Sequence, residues 1–137
     1  MTDNNPRYPH TFSILRPVKE NGEAVLDDNG YPTYEPVPLA VVAMNDGWMM
    51  RDSEGQPLIE GYSYTMPCGY RTATRNLSEM GDVVSYNTML HCPPFLTPLF
   101  FDDLIEITDY DQTYRARVAK KVTFNWGTAV WIDDIQN

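Results

Sequence analysis

Histidine and cysteine are scarce in this sequence, which contains two of each: His10, His91, Cys68 and Cys92. A catalytic cysteine or a histidine base would have to be one of these four residues. A structural zinc site needs roughly four nitrogen and sulfur ligands, and no CxxC or HxxxH spacing occurs in the sequence. A dyad of His91 and Cys92 is disfavoured, because neighbouring side chains on a strand point to opposite faces, and no feature of the sequence favours a pair of Cys68 and His91. The sequence therefore predicts no catalytic residues, no metal site, no cofactor and a protein that is not an enzyme.

The two cysteines are too few and too far apart along the chain to indicate a disulfide framework. Unpaired cysteine behaves as a small hydrophobic residue and is often buried. We therefore expect Cys68 and Cys92 to be free thiols in the core of a protein from a reducing compartment. A single bridge between them remains the alternative.

Glycine clusters are also missing, because the 8 glycines are isolated and form neither a GxGxxG nor a GxxxxGKS pattern. This excludes the familiar phosphate-binding loops. The carboxylate pairs Asp27-Asp28, Asp102-Asp103 and Asp133-Asp134 lack the alternating spacing of a calcium loop. We interpret them as turn and strand-end residues. A glycosidase-type pair stays open, because the separation in space decides it.

Basic residues are outnumbered, with 10 Lys and Arg against 19 Asp and Glu and a net charge of -9. Such a chain should repel nucleic-acid phosphates over most of its surface. The acidity either aids solubility or forms a surface that passes a polyanion without binding it. No apolar run approaches the ~20 residues of a membrane span, and the polar N-terminus lacks the plan of a signal peptide. These features predict a soluble, cytoplasmic protein with no membrane partner.

Proline is abundant, and its distribution predicts the fold class. The 11 prolines are spread along the chain, which leaves little room for long helices. Short alternating segments separated by turn residues predict an all-β fold, a small antiparallel β-barrel or sandwich with little or no helix. We expect residues 1–9 to form a flexible N-terminal segment and residues 10–137 to form a single β-barrel domain.

The predicted strands share alternating or continuous apolar patterns bounded by Gly, Pro, Asn or Asp. Between two of them, Pro93–Phe101 is apolar but interrupted by three prolines, so we expect it to cross and cap one end of the core. Leu58–Arg75 is predicted to form one or two strands. The other predicted strands are His10–Arg16, Leu39–Met44, Val83–Cys92, Leu104–Ile107, Tyr114–Phe124 and Ala129–Ile135.

Two segments are predicted to project from the domain. A hairpin around residues 20–37 has Val25–Leu26 and Tyr31–Val37 as its arms, with the turn-forming Asp27–Gly30 between them. Its prolines place it at an edge of the sheet or outside the core. The second is a polar loop around residues 45–60, which carries Trp48, Met49 and Met50. These three either fold back on the core or form an exposed partner contact.

Arginine forms the one basic feature, a stripe made of Arg71, Arg75, Arg115 and Arg117. Arg71 and Arg75 lie four residues apart, and Arg115 and Arg117 lie two residues apart. The two members of each pair therefore share a strand face. They either pair with acidic neighbours on solvated strand faces or meet acidic residues of an adjacent subunit. We keep them with Trp48, Met49 and Met50 as candidate subunit or partner contacts.

Several motifs follow one another in a recognisable order along the chain. They are Ile14-Leu15-Arg16-Pro17, Asp27-Asp28-Asn29-Gly30-Tyr31-Pro32, Gly69–Arg75, Gly81-Asp82-Val83-Val84, Asp103-Leu104-Ile105-Glu106-Ile107, Tyr114-Arg115-Ala116-Arg117-Val118 and Val130-Trp131-Ile132-Asp133. This order resembles that of the head-closure, or head–tail adaptor, proteins of tailed phages and prophages. Asp102 stands where that family usually has glycine, and Asn45–Glu60 looks like an inserted loop.

This resemblance implies a virion structural protein that forms a ring under the portal, seals packaged DNA and receives the tail. Its expected partners are copies of itself and the portal, adaptor and tail proteins, while DNA passes nearby without sequence-specific binding. No catalytic residue and no small-molecule substrate follow from it. The alternative is a small carbohydrate- or peptide-binding module, suggested by Trp48, Trp126, Trp131 and nine tyrosines. An enzyme is the third hypothesis.

Overall fold

The structure is a computed structural model that describes residues 8–72, 76–77, 84–85 and 88–136. These residues form strands, turns and irregular segments, and the described part contains no helix. The strands are β1 His10–Pro17, β2 Lys19–Glu20, β3 Glu23–Ala24, β4 Tyr34–Pro36, β5 Leu39–Val42, β6 Met44–Asn45, β7 Trp48–Met49, β8 Ile59–Ser63, β9 Met66–Thr72, β10 Asn76–Leu77, β11 Val84–Ser85, β12 Thr88–Cys92, β13 Leu104–Asp109, β14 Gln112–Phe124 and β15 Gly127–Gln136.

Six of these strands close into an antiparallel barrel in the order β13-β14-β15-β12-β9-β1, and β1 returns to pair with β13. One edge of β1 pairs with β13 along Thr11–Leu15. Its other edge pairs first with β9 and then, at Leu15–Pro17, with the extra strand β4. The all-β prediction is confirmed, and the architecture is a barrel rather than a sandwich. Closure removes the open sheet edges that such a short meander would otherwise expose.

The core consists of the inward-facing side chains of the alternating strands. Phe12 and Ile14 of β1 are buried, as are Thr88, Leu90 and Cys92 of β12. Both sets lie on the faces that period-two alternation predicts. The other large members of the core cluster include Leu39, Met66, Phe95, Ile105, Ile107, Val118, Val130 and Ile132.

A β-bulge at Ala119 changes which residues of β14 face inward. Val118 pairs with Ile132 and Lys120 with Trp131, so Ala119 is an extra residue on β14. Strict alternation predicts Lys120 on the same face as Val118. The bulge reverses the alternation, so Lys121 instead lies opposite the buried Val130.

The proline-rich crossing closes one end of the barrel as predicted. Phe95 is fully buried in the core cluster. The segment is held to β5 by a hydrogen bond from the Leu96 backbone N–H to the Ala40 carbonyl oxygen, 2.9 Å long. On the opposite side, the Thr123 hydroxyl donates to the Phe95 carbonyl oxygen over 3.1 Å. These hydrogen bonds satisfy backbone N–H and C=O groups of the crossing segment, whose prolines prevent it from joining a β-ladder.

The predicted hairpin around residues 20–37 is present, with an additional short turn. Asn21 and Gly22 both have positive φ, 54° and 82°, and connect β2 to β3 in a turn that matches the strand twist. A second turn brings Leu26 opposite Pro32, within the predicted arms. Its conformation is held by Asp27, whose Oδ1 accepts hydrogen bonds of 2.9 Å from the backbone N–H groups of Asn29 and Tyr31. The segment then returns as β4 at the edge of β1.

The segment predicted as an open loop is instead folded into two small hairpins. The first joins β6 to β7 through Asp46-Gly47, again with positive φ at both residues, 51° and 81°. The second brings Arg51 opposite Pro57 around a turn in which the Asp52 carboxylate accepts backbone N–H groups. Local side-chain hydrogen bonds of this kind order a polar segment without a core. The division into a segment 1–9 and a domain 10–137 stays a prediction.

Candidate functional site

An open groove of about 530 Å³ lies on the outer face of β12, β15 and the end of β14. Its walls are mostly aromatic. We call it the aromatic groove and define it by Tyr8, Met89, His91, Phe124, Trp126 and Trp131, with Cys92, Gly127, Thr128 and Ala129 completing the lining. A concave surface of this size with apolar walls and a few polar groups is the usual form of a binding site.

The groove follows from the outward positions of paired strands. Met89 lies opposite Trp131 and His91 opposite Ala129 in the β12–β15 ladder, so large and small side chains alternate on one face. The ring of Tyr8 lies 5.8 Å from that of His91. A Cβ at Gly127 would lie 3.0 Å from the Cys92 carbonyl oxygen, so a larger residue would require the two strands to move apart by a few tenths of an ångström, whereas glycine fits without a shift.

Three aromatic side chains form the rim nearest the closed end of the barrel. Phe124 and Trp126 stack with ring centroids 4.9 Å apart, and Trp48 meets Trp126 edge-on at 6.0 Å. Trp48 is 57% exposed and Trp126 is 50% exposed, although both lie in aromatic contacts. Exposed tryptophans in fixed contact with one another present rigid faces on which a ligand or a partner side chain can stack.

The folded segment 44–57 places Trp48 at this rim. The backbone N–H of Met49 donates to the Asn125 carbonyl oxygen at 2.7 Å, and Nη2 of Arg51 donates to Oδ1 of Asn125 at 2.8 Å. Trp48 therefore neither folds into the core nor stands alone. Met49 is half-buried and Met50 is exposed. Of the three predicted contact residues, Trp48 lies beside the groove through its contact with Trp126, and none of the three lines it.

The predicted arginine stripe is only partly described. Nε of Arg115 lies 3.0 Å from Oε2 of Glu106 on the neighbouring strand, which fits the pairing of solvated strand faces. Arg117 lies opposite Leu104 on one side and Asp133 on the other. The backbone of Arg71 pairs with Met89 in the barrel, but its side chain lies outside the described part. Arg75 lies outside the described residues.

A second exposed surface lies at the hairpins that follow β1. We call residues 18–37 the acidic hairpin, because this range contains Glu20, Glu23, Asp27, Asp28 and Glu35 against one lysine. Its tip exposes Leu26 at 56% and Tyr31 at 67%. Apolar side chains displayed among carboxylates on a projection are typical of a contact surface.

A buried ion pair at the closed end was missed by the sequence analysis. Asp103 is fully buried, and its two oxygens accept hydrogen bonds of 2.9 Å from Nε and Nη2 of Arg16. Its Oδ2 also accepts the backbone N–H of Phe100 at 2.8 Å. The hydrogen bond to Asp103 raises the pKa of Arg16. Arg16 and Asp103 belong to two of the quoted sequence motifs, so their pairing joins segments far apart in the chain and has a structural role.

Both cysteines are free and buried, as expected. Burial raises the pKa of the Cys68 thiol to about 12 and also raises that of Cys92, so neither is a thiolate near neutral pH. Burial lowers the pKa of Lys121 to about 8, and its Nζ donates to the Thr97 carbonyl oxygen at 2.9 Å. This amine anchors the crossing segment at the barrel end.

Within the described ranges, no three His, Cys, Asp or Glu residues lie together in a way that could hold a metal ion. The same residues include no helix long and apolar enough to cross a membrane. Comparison of the chain with protein-family models, curated proteins and solved structures found no match.

Proposed function

We propose that this chain is a non-enzymatic structural protein of a tailed phage or prophage, similar to head-closure and head–tail adaptor proteins. Copies of it form a ring between the portal and the tail, around the channel through which DNA passes. The ring assembles in the cytoplasm of the bacterial host and remains at the head–tail interface of the virion.

One observation carries this proposal: several of the large exposed apolar side chains of the described residues lie on turns and short hairpins around a small closed barrel. Tyr31 and Leu26 occupy the acidic hairpin, Trp48 and Trp126 the rim of the groove, and Phe101 the turn before β13. Apolar side chains are retained at such positions when partners cover them. The net charge of -9 suits a ring wall that a DNA duplex passes without binding.

The test is co-expression with the portal and tail proteins encoded nearest to the gene, followed by electron microscopy of the purified portal. We expect added density in a ring on the portal, and tails that attach only when this chain is present. The double variant Phe101→Ser, Trp48→Ser removes two exposed aromatic side chains. It should therefore weaken ring formation. If no portal or tail genes flank the gene, or if the chain does not bind the portal, the proposal is wrong.

The aromatic groove favours a second candidate, a carbohydrate- or peptide-binding module. Aromatic faces stack on sugar rings and on extended peptides, and the groove has the size of a ligand site. Screening the chain on a glycan array and a peptide library distinguishes the candidates. Specific hits that are lost in Trp126→Ser would support this function, whereas an absence of hits would leave the groove as a protein contact.

A further inference from the structure

The acidic hairpin and the aromatic groove lie on opposite walls of the barrel. β15, at the centre of the groove, is three strands from β1 in either direction around the barrel. β1 leads directly into the acidic hairpin and receives it back as β4. Because the whole barrel lies between the two surfaces, they can meet only when they belong to different copies of the chain.

The two surfaces have complementary charge. The acidic hairpin contains five carboxylates and one lysine, and that lysine, Lys19, is already bound to Asp102 at 3.0 Å. By contrast, residues 112–132, which form β14 and most of β15, contain four Lys and Arg residues and no carboxylate. Arg115 is paired with Glu106, and Lys121 faces the barrel interior, where its Nζ donates to the Thr97 carbonyl oxygen. Lys120 is exposed beside the groove, with Nζ 5.3 Å from the centroid of the Trp131 ring. Lys120 is therefore the cation at the groove that can attract an acidic partner.

The two surfaces also complement each other in shape and polarity. The tip of the acidic hairpin offers Tyr31 and Leu26, both more than half exposed, on a turn that the Asp27 carboxylate holds in place. The groove offers stacked rings at Phe124 and Trp126 beside an apolar floor. A pre-ordered aromatic tip entering an aromatic pocket is the arrangement in which binding energy concentrates.

We propose that the tip of the acidic hairpin of one copy, with Tyr31 at its centre, docks in the aromatic groove of the next copy. The contact is head-to-tail, so repetition of it produces a closed ring or an open filament. A single contact is small and weak, and a ring multiplies it. The inference rests on the proposed function, because it names the subunit contact of the proposed ring.

The first experiment replaces Tyr31 in the full chain with a photo-reactive phenylalanine and irradiates the protein at about 1 mM, where even a contact of millimolar dissociation constant is substantially occupied. We expect intermolecular adducts that map to β12, the end of β14 or β15. The same probe at Tyr62, which is 71% exposed on β8, is the matched control and should give few adducts in the groove. Adducts of the Tyr31 probe elsewhere, or none, would overturn the contact.

The second experiment tests the groove and the charges separately. Trp126→Ser should lower the adduct yield about tenfold, because a central aromatic anchor dominates a small interface. Asp28→Lys and Lys120→Glu should each lower the yield, and the mixture of the two variants should restore it, because opposite charges then meet again. Equal yields in all of these variants would contradict the proposal.

The experiments distinguish failure of the proposed head–tail role from failure of the proposed subunit contact. A ring on the portal without Tyr31 adducts in the groove would retain the proposed function and exclude this contact. Adducts in the groove without binding to the portal would retain the contact and exclude the head–tail role. A monomer that binds a glycan in the groove would exclude both.

Discussion

The closed end of the barrel and the aromatic groove use similar side chains for different purposes. At the closed end, the guanidinium of Arg16 lies 4.6 Å from the Phe100 ring centroid, and at the groove Lys120 lies over Trp131. The difference lies in the polar partners. Asp103 binds the Arg16 guanidinium from a fully buried position, whereas Lys120 forms no ion pair with any of the described residues. The aromatic rings do not differ in this way, since Phe100 and Trp126 are both half exposed. A cation beside an aromatic ring is fixed within the fold where a buried carboxylate also binds it, and the proposed subunit contact depends on Lys120, which lacks such a carboxylate.

The largest expected effect comes from Asp103→Ala. Removing this carboxylate leaves the partly exposed Arg16 with the Pro98 carbonyl oxygen as its acceptor and leaves the Phe100 N–H without its acceptor. We therefore expect a loss of about 3 kcal/mol in the free energy of unfolding, the lower end of the range for breaking a buried pair. Asp102→Ala is the matched control, because Asp102 forms only a partly exposed pair with Lys19 and should cost less than about 1 kcal/mol. Urea denaturation of both variants checks the prediction, and similar losses would contradict it.

An intermediate effect is expected from Lys121→Met and depends on pH. The folded pKa of Lys121 is about 8, against 10.5 for an ordinary lysine, so the unfolded chain holds this proton more tightly. Below pH 8 the buried amine is charged, and its desolvation lowers the free energy of unfolding by the full amount. This loss decreases as the pH rises and is gone at about pH 10.5. The stability of the variant relative to the parent should accordingly fall across this window.

Denaturation of parent and variant at pH 7 and pH 10 tests the Lys121 prediction. The buried thiols also affect stability at high pH, but they are present in both proteins and largely cancel in the difference. Lys120→Met is the control for the loss of one lysine charge, because Lys120 lies next to Lys121 in the sequence and faces outward. A difference between Lys121→Met and the parent that is constant with pH would show that the amine remains ordinary.

A smaller effect on stability is expected from Trp126→Ser. The substitution removes one stacked and one edge-on aromatic contact at a half-exposed position, so the loss should be about 0.5–1.5 kcal/mol. The same substitution is expected to lower the adduct yield at the groove about tenfold. A thermal melt combined with the cross-linking assay separates the two effects. A loss as large as that of Asp103→Ala would place Trp126 in the folding core and weaken the comparison.

The smallest effect is expected from Arg115→Gln. Its ion pair with Glu106 lies on an exposed strand face, where such pairs contribute about 0.2–1 kcal/mol. The effect should diminish in high salt, because salt screens exposed charges. Denaturation at low and high ionic strength provides the measurement. A large and salt-independent loss would contradict the assignment of Arg115 to a solvated face.

Much of the barrel was predictable, because the relevant signals are local. Alternation placed Phe12 and Ile14 on an inward face, and the prolines of the crossing segment excluded it from a ladder. The candidate site was predictable only in part. Trp48 was selected because an apolar side chain stood in a polar segment, but its contact with Trp126 joins residues far apart in the chain. The groove was not predicted, because its walls come from three strands and its floor from small residues.

By itself, the sequence determined that the chain forms short strands, where its turns fall, and which faces are apolar. These properties depend on neighbouring residues, through proline geometry, turn chemistry and side-chain alternation. Only the tertiary structure decided that Asp103 is buried against Arg16, 87 positions earlier, and that the bulge at Ala119 turns Lys121 inward. It also set the acidic hairpin and the aromatic groove on opposite walls. Such features depend on closure of the barrel, which brings together residues that are far apart in the sequence. The residues next to each of them in the chain do not indicate which distant residue it will contact.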